Sequence, residues 1–151
     1  MKIDNRTNLH IDKLLHESIS GHNVEDLQVE IKHSPITSRR YISGTYYRLH
    51  PKHPNGKLIR IRINSRNKYP LEISFKTSEY FQKKNRKGEL TTYQKLVKVK
   101  FNRPEELIIG IFLHEFSHYL DHQQNLNGKF KQTKADKFAM QGLVMLGIIK
   151  V

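Results

Sequence analysis

The stretch from Leu107 to Leu120 is apolar almost all round, because Leu107, Ile108, Ile109, Ile111, Phe112, Leu113, Phe116, Tyr119 and Leu120 leave no broad polar face. A helix of this kind runs through the interior, and the rest of the chain has to wrap around it. Its start is legible: Asn102 offers a capping side chain, Pro104 an early proline, and Glu105 an acid able to reach back. Glu105 and Glu106 also suit the positive end of a helix. The pattern runs to about Gln124, Asn125 to Gly128 reads as a turn, and a second helix is expected from about Gln132 to Leu146.

Unpaired polar groups in such a helix cost on the order of several kcal/mol each, yet this one carries His114, Glu115 and His118 in the frame His-Glu-x-x-His. Four-residue spacing stacks the two imidazoles on one face, where both rings converge on one ion. Glu115 lies about 100° round the helix, so it flanks that ion without ligating it. Two ligands and an adjacent carboxylate are the minimum for zinc-dependent hydrolysis of peptide bonds, with Glu115 as general base on the activated water. The plain alternative is a core helix whose polar residues are simply hydrogen-bonded.

A catalytic zinc ion takes a third protein ligand and keeps one open position. Asp121 and His122 continue the same helix but lie about 7.5 and 9 Å along its axis from the midpoint of the histidines, at about 1.5 Å per residue. Asp136 is better placed, since a second helix returning antiparallel would aim it at the metal, with Ala139, Met140 and Leu143 as the docking face. His114, His118 and Asp136 are therefore the expected metal ligands. Asp136 also reads as a helix-start acid or as a partner orienting one histidine. Asp121 fits that orienting role or a solvated position, and His122 reads as a surface histidine or as a donor to the oxyanion.

His114 to His122, followed after the turn by Gln132-Thr-Lys-Ala-Asp-Lys-Phe-Ala139, resembles the compact zincin metallopeptidases, among them the ImmA/IrrE and SprT-like groups. The resemblance covers the last third of the chain. Ala135-Asp136-Lys137-Phe138-Ala139 looks like the signature of the second helix in ImmA/IrrE-type proteins, where a glutamate is expected just upstream. Gln132 and Lys134 stand there instead. Many SprT-like proteins add a cysteine zinc ribbon, whereas this chain has no cysteine. The resemblance implies a zincin-like domain with Zn2+ as cofactor and a protein or peptide substrate.

Upstream, Leu9, Ile11, Leu14, Leu15 and Ile19 have helical spacing that Gly21 stops. Alternation then marks strands at Leu27 to Ile31, Tyr41 to Leu49, Ile59 to Ile63, Leu71 to Phe75 and Val97 to Phe101. Pro51, Pro54, Asn55 and Gly56 separate two of them, and Lys83 to Gly88 is a charged loop. The expected fold is α+β over residues 1–151 as one domain: an N-terminal helix, a mostly antiparallel sheet, the His-Glu-x-x-His helix and a C-terminal helix. Zincins pair an extended substrate along an exposed strand; Ile59 to Asn64 is the first candidate because its arginines suggest one solvated face, which an ordinary antiparallel strand also requires.

The formal net charge is +13, and residues 31 to 103 hold nineteen Lys and Arg against three acids. Such a field attracts nucleic acid, anionic membrane or acidic protein without choosing among them. Arg39-Arg40-Tyr41, Tyr46-Tyr47-Arg48 and Lys83-Lys84-Asn85-Arg86-Lys87 mix cations with aromatics in a way compatible with phosphate and base contacts. DNA or a DNA-associated protein is thus a candidate partner, against a merely solubilising surface. With no signal-like leader and no apolar run long enough for a bilayer, the expected location is cytoplasmic, with no membrane partner. These features predict a zinc metallopeptidase acting on an intracellular protein. The competing expectation is a basic nucleic-acid-binding or regulatory module on the same scaffold, with structural zinc.

Overall fold

The computed structural model describes residues 1–50, 56–126 and 131–150. Along the chain these form β1 (Lys2–Asn5), α1 (Asp12–Ser18), β2 (Leu27–His33), β3 (Ile42–Tyr47), β4 (Lys57–Ile63), β5 (Leu71–Lys84), β6 (Leu90–Phe101), α2 (Pro104–Gln123) and α3 (Gln132–Met145). Among the described residues there are three helices, a four-stranded sheet in the order β1-β2-β4-β3, and a two-stranded β5–β6 ribbon. This is a mixed α+β architecture. Pro51, Pro54, Asn55 and the second half of the Asn125–Gly128 turn lie outside the described residues.

Period-two alternation builds the centre of the sheet. Leu27, Val29 and Ile31 of β2 and Ile59, Ile61 and Ile63 of β4 are buried, while Glu30 and Arg60 stand on the opposite face as register partners. There Arg60 Nε donates to Glu30 Oε1 at 3.1 Å. The four-stranded sheet is not mostly antiparallel as expected: β1 and β4 both run parallel to β2, and only β3 runs antiparallel, along β4. The connections explain this. A parallel β1–β2 pair needs a crossover, which α1 supplies, and the chain between β2 and β4 passes through β3 at the sheet edge. β1 is four residues long, too short for its alternation to register as a strand.

The ribbon is longer than its apolar alternation. Leu71, Phe75, Val99 and Phe101 are buried at its root, but the pairing continues to Lys84 and Leu90, so Lys83 and Lys84 are strand residues rather than loop.

As the apolar pattern requires, α2 is the central helix, with Leu107, Ile108, Ile109, Phe112, Leu113, Phe116 and Tyr119 at most 1 % exposed. Arg103, in extended conformation, is its N-cap without a side-chain cap bond, and Pro104 follows in the first turn. The acid that reaches back is Glu106, whose Oε1 accepts the Asn102 N–H at 3.4 Å. α3 returns antiparallel along α2, since Asp121 meets Lys134 at one end and Gly110 faces Leu143 at the other. Gly142 permits the approach: a Cβ there would stand 2.6 Å from Leu113 Cδ1.

Candidate active site

One turn of α3 grips both nitrogens of His114. Asp136 Oδ1 lies 2.6 Å from His114 Nδ1, and Gln132 Oε1 lies 2.7 Å from His114 Nε2. Gln132 and Asp136 are four residues apart and so share a helix face, which puts one side chain on each side of the ring. Asp136 is buried, and its other oxygen, Oδ2, accepts the Lys76 N–H at 2.7 Å. That N–H is available because β5 is paired on one side only, in a two-stranded ribbon. Burial alone lowers the His114 pKa, but the Asp136 hydrogen bond, the charges of Glu115 and Asp136 and the Gln132 bond reverse this and hold it above the ordinary 6.5.

Glu115 points to the sheet side of α2. It is 8 % exposed, and its Oε1 lies 4.0 Å from His114 Nε2. Burial raises its pKa above the ordinary 4.5, against the opposing effects of the His114 charge and a hydrogen bond from the Tyr46 backbone N–H. Burial thus makes this carboxylate more basic than an exposed one. The space comes from Gly44 on β3, where a Cβ would stand 2.5 Å from Ile111 Cγ2 and 3.1 Å from Glu115 Cγ. Glycine inside a strand thus marks a close approach of helix to sheet.

The strand beside the site is β3, the edge strand. The expected substrate strand, Ile59 to Asn64, is β4, which is hydrogen-bonded to β2 on one side and β3 on the other. Its interior position leaves no edge for pairing. On β3, Tyr46 spends its N–H on Glu115, and by the alternation of an antiparallel ladder Gly44 and Ile42 also turn their backbone groups away from β4.

The remaining candidates take distinct places. His118 is half-buried, its ring edge-on to that of His114 with centroids 5.2 Å apart. Asp121, 2 % exposed, accepts from Lys134 Nζ at 2.6 Å, and its Oδ2 is buried without a hydrogen-bond partner among the described residues. That geometry fits neither orientation of a histidine nor a solvated position. His122 Nδ1 is hydrogen-bonded to the Tyr46 hydroxyl at 2.7 Å; burial, then Arg48 and Lys57, lower its pKa. Tyr119 is a core residue whose hydroxyl donates to Asp26 Oδ1 at 2.5 Å.

Among the described residues, no group of three or more His, Cys, Asp or Glu side chains is arranged to hold a metal ion. Beyond those four residue types, the Gln132 amide oxygen is a further potential donor beside His114 Nε2. With Nδ1 donating to Asp136, the Nε2 side faces two oxygens, Gln132 Oε1 at 2.7 Å and Glu115 Oε1 at 4.0 Å. A proton and a divalent ion compete for the same nitrogen lone pair.

Gln132, Gly44, the Tyr46 N–H and the Lys76 N–H were not singled out as site groups by sequence. The four-residue spacing of Gln132 and Asp136 and a glycine within a strand are the signals that point to two of them. The backbone donors leave no trace in residue type. Comparison with protein-family profiles, with curated proteins and with solved structures finds no match for this chain.

Proposed function

We propose that this protein is a zinc-dependent peptidase of compact zincin type, with His114 and His118 holding the ion and Glu115 acting as general base. The observation that carries the reading is the clamp on His114: a buried carboxylate behind Nδ1, and two oxygens facing Nε2, one from a glutamate whose proton affinity burial has raised. Orientation of a ligand histidine through its other nitrogen is a recurrent feature of metal sites. When bound, zinc supplies a Lewis acid that activates water and polarises the scissile carbonyl.

The chain's own groups then divide the work. Asp136 has both oxygens engaged, by His114 Nδ1 and Lys76 N–H, which supports an orienting role for the residue expected as third ligand. Gln132 Oε1 is the α3 atom beside Nε2, which supports an amide oxygen as third donor; Asp136 is the alternative. Glu115 takes the proton of the attacking water and returns it to the leaving amine. The outer edge of β3 pairs with an extended substrate, which brings the scissile bond across the glutamate held by Tyr46.

The test is cleavage of an unfolded protein such as casein by zinc-loaded wild type and Glu115→Gln. Loss of about 10²- to 10⁴-fold in the variant, the usual contribution of a general base, is expected. Equal rates would refute the assignment.

A further inference from the structure

The distal half of the β5–β6 ribbon has no function in the peptidase reading and little reason to exist as packing. Beyond the register shift at Lys76/Tyr80, Tyr80 to Lys84 pair with Leu90 to Gln94 and then turn through Asn85 to Gly88. This part is exposed on both faces: Tyr80 is 62 %, Phe81 48 % and Tyr93 38 % accessible. A two-stranded ribbon with no covered face is marginally stable in water, so exposed aromatics on it need another explanation. Phe81 and Tyr93 stack across the strands with centroids 5.7 Å apart, forming an exposed aromatic platform of two rings.

Around this pair the charge is predominantly positive, with Glu89 the one acid among residues 83–90. Lys83, Lys84, Arg86 and Lys87 are all exposed and none has a carboxylate partner among the described residues, whereas Lys95 is paired with Glu79 at 3.0 Å. Four unpaired cations at the tip, with an aromatic surface directly below, combine the two features that bind unpaired nucleic-acid strands: charge for the backbone and π-faces for the bases. We infer that the distal β5–β6 ribbon is a binding arm for single-stranded nucleic acid.

The arrangement of charge and ring favours this occupant over two others. A duplex buries its base faces, which would leave the platform without a partner. A membrane-inserting hairpin carries its apolar residues at the tip, whereas here the tip is the most charged part and the aromatics lie behind it. At its root the same strand donates the Lys76 N–H to Asp136, so the arm begins against the candidate active site.

The test is fluorescence anisotropy of a labelled oligothymidylate with the full chain carrying Glu115→Gln, which separates this inference from the peptidase reading. Four cations give a salt slope, log K against log salt, of about −3, at about 0.7 per contact for single strands. Arg86→Ala with Lys87→Ala should reduce the slope to about −1.4, while Phe81→Ala should weaken binding by about five-fold or more at an unchanged slope. Because these side chains are exposed, circular dichroism of each variant should match the parent. Absence of binding, binding insensitive to these variants, tighter binding to a duplex of the same length, or binding only to phosphatidylserine vesicles would overturn the inference.

Discussion

Gly44→Ala is the sharpest probe of how the site is assembled, because one methyl group separates two consequences. The added Cβ would lie 2.5 Å from Ile111 Cγ2, and 3.1 and 3.3 Å from Glu115 Cγ and Oε1. Carbon atoms prefer about 3.5–4.0 Å, so α2 and β3 must separate by about 1 Å locally or the side chains must leave their rotamers. Ile111 is β-branched, and Glu115 is tied to the Tyr46 N–H, so neither yields freely. Overpacking of this kind costs about 1–3 kcal/mol, which for a chain of this length lowers Tm by about 2–12 °C. Thermal unfolding followed by circular dichroism measures it. Ile111→Ala removes the closest clash, so the double variant should recover about 1 kcal/mol relative to additivity. Activity should recover less, because the contacts to Glu115 persist. If Gly44→Ala unfolds at the wild-type temperature, or if the two substitutions are simply additive, the close packing of α2 on the edge strand is wrong.

Two further outcomes follow from the buried charges. His114 and Glu115 both have raised pKa values, so the folded state binds more protons than the unfolded state. In chelator-treated protein, their contribution to stability should therefore be fully present below the ordinary values of 4.5 and 6.5 and be lost as pH rises through the raised ones, with Asp136→Asn flattening the neutral-pH part of the denaturant-midpoint profile. Lys134→Ala leaves the Asp121 carboxylate buried without its cation and should cost on the order of 2 kcal/mol in urea unfolding, with Lys134→Arg restoring most of it.

The elements nearest the site were the most legible in sequence. A helix apolar all round had to be central, and α2 is; the four-residue spacing of His114 and His118 put both on one side of it, and α3 runs back along it as the apolar face of Ala139 and Leu143 requires. Strand positions were readable wherever buried isoleucines, leucines and valines alternate, as in β2 and β4. Pairing was not, because a strand's residues report that one face is covered and say nothing of which neighbour its backbone meets. Hence β4, whose arginines suggest one solvated face and so a candidate for substrate pairing, is interior: Arg60 faces Glu30 of β2 across the polar side of the sheet rather than open solvent. The role of Asp136 was ambiguous for a similar reason. Reach alone allows a carboxylate on α3 either to ligate or to orient, and it is the Lys76 N–H, sixty residues upstream, that occupies its second oxygen.

Zinc binding by the metal-free chain is the most direct test of the whole account, measured by competition with a chromophoric chelator and by elemental analysis after gel filtration. One ion per chain is expected for wild type and for Glu115→Gln, with affinity lost by more than about a hundredfold in His114→Ala and in His118→Ala and reduced further by Gln132→Ala than by Asp136→Asn, since outer partners typically contribute 10- to 100-fold. A folded wild-type protein that takes up no zinc, or one whose zinc affinity is indifferent to both histidines, would contradict it.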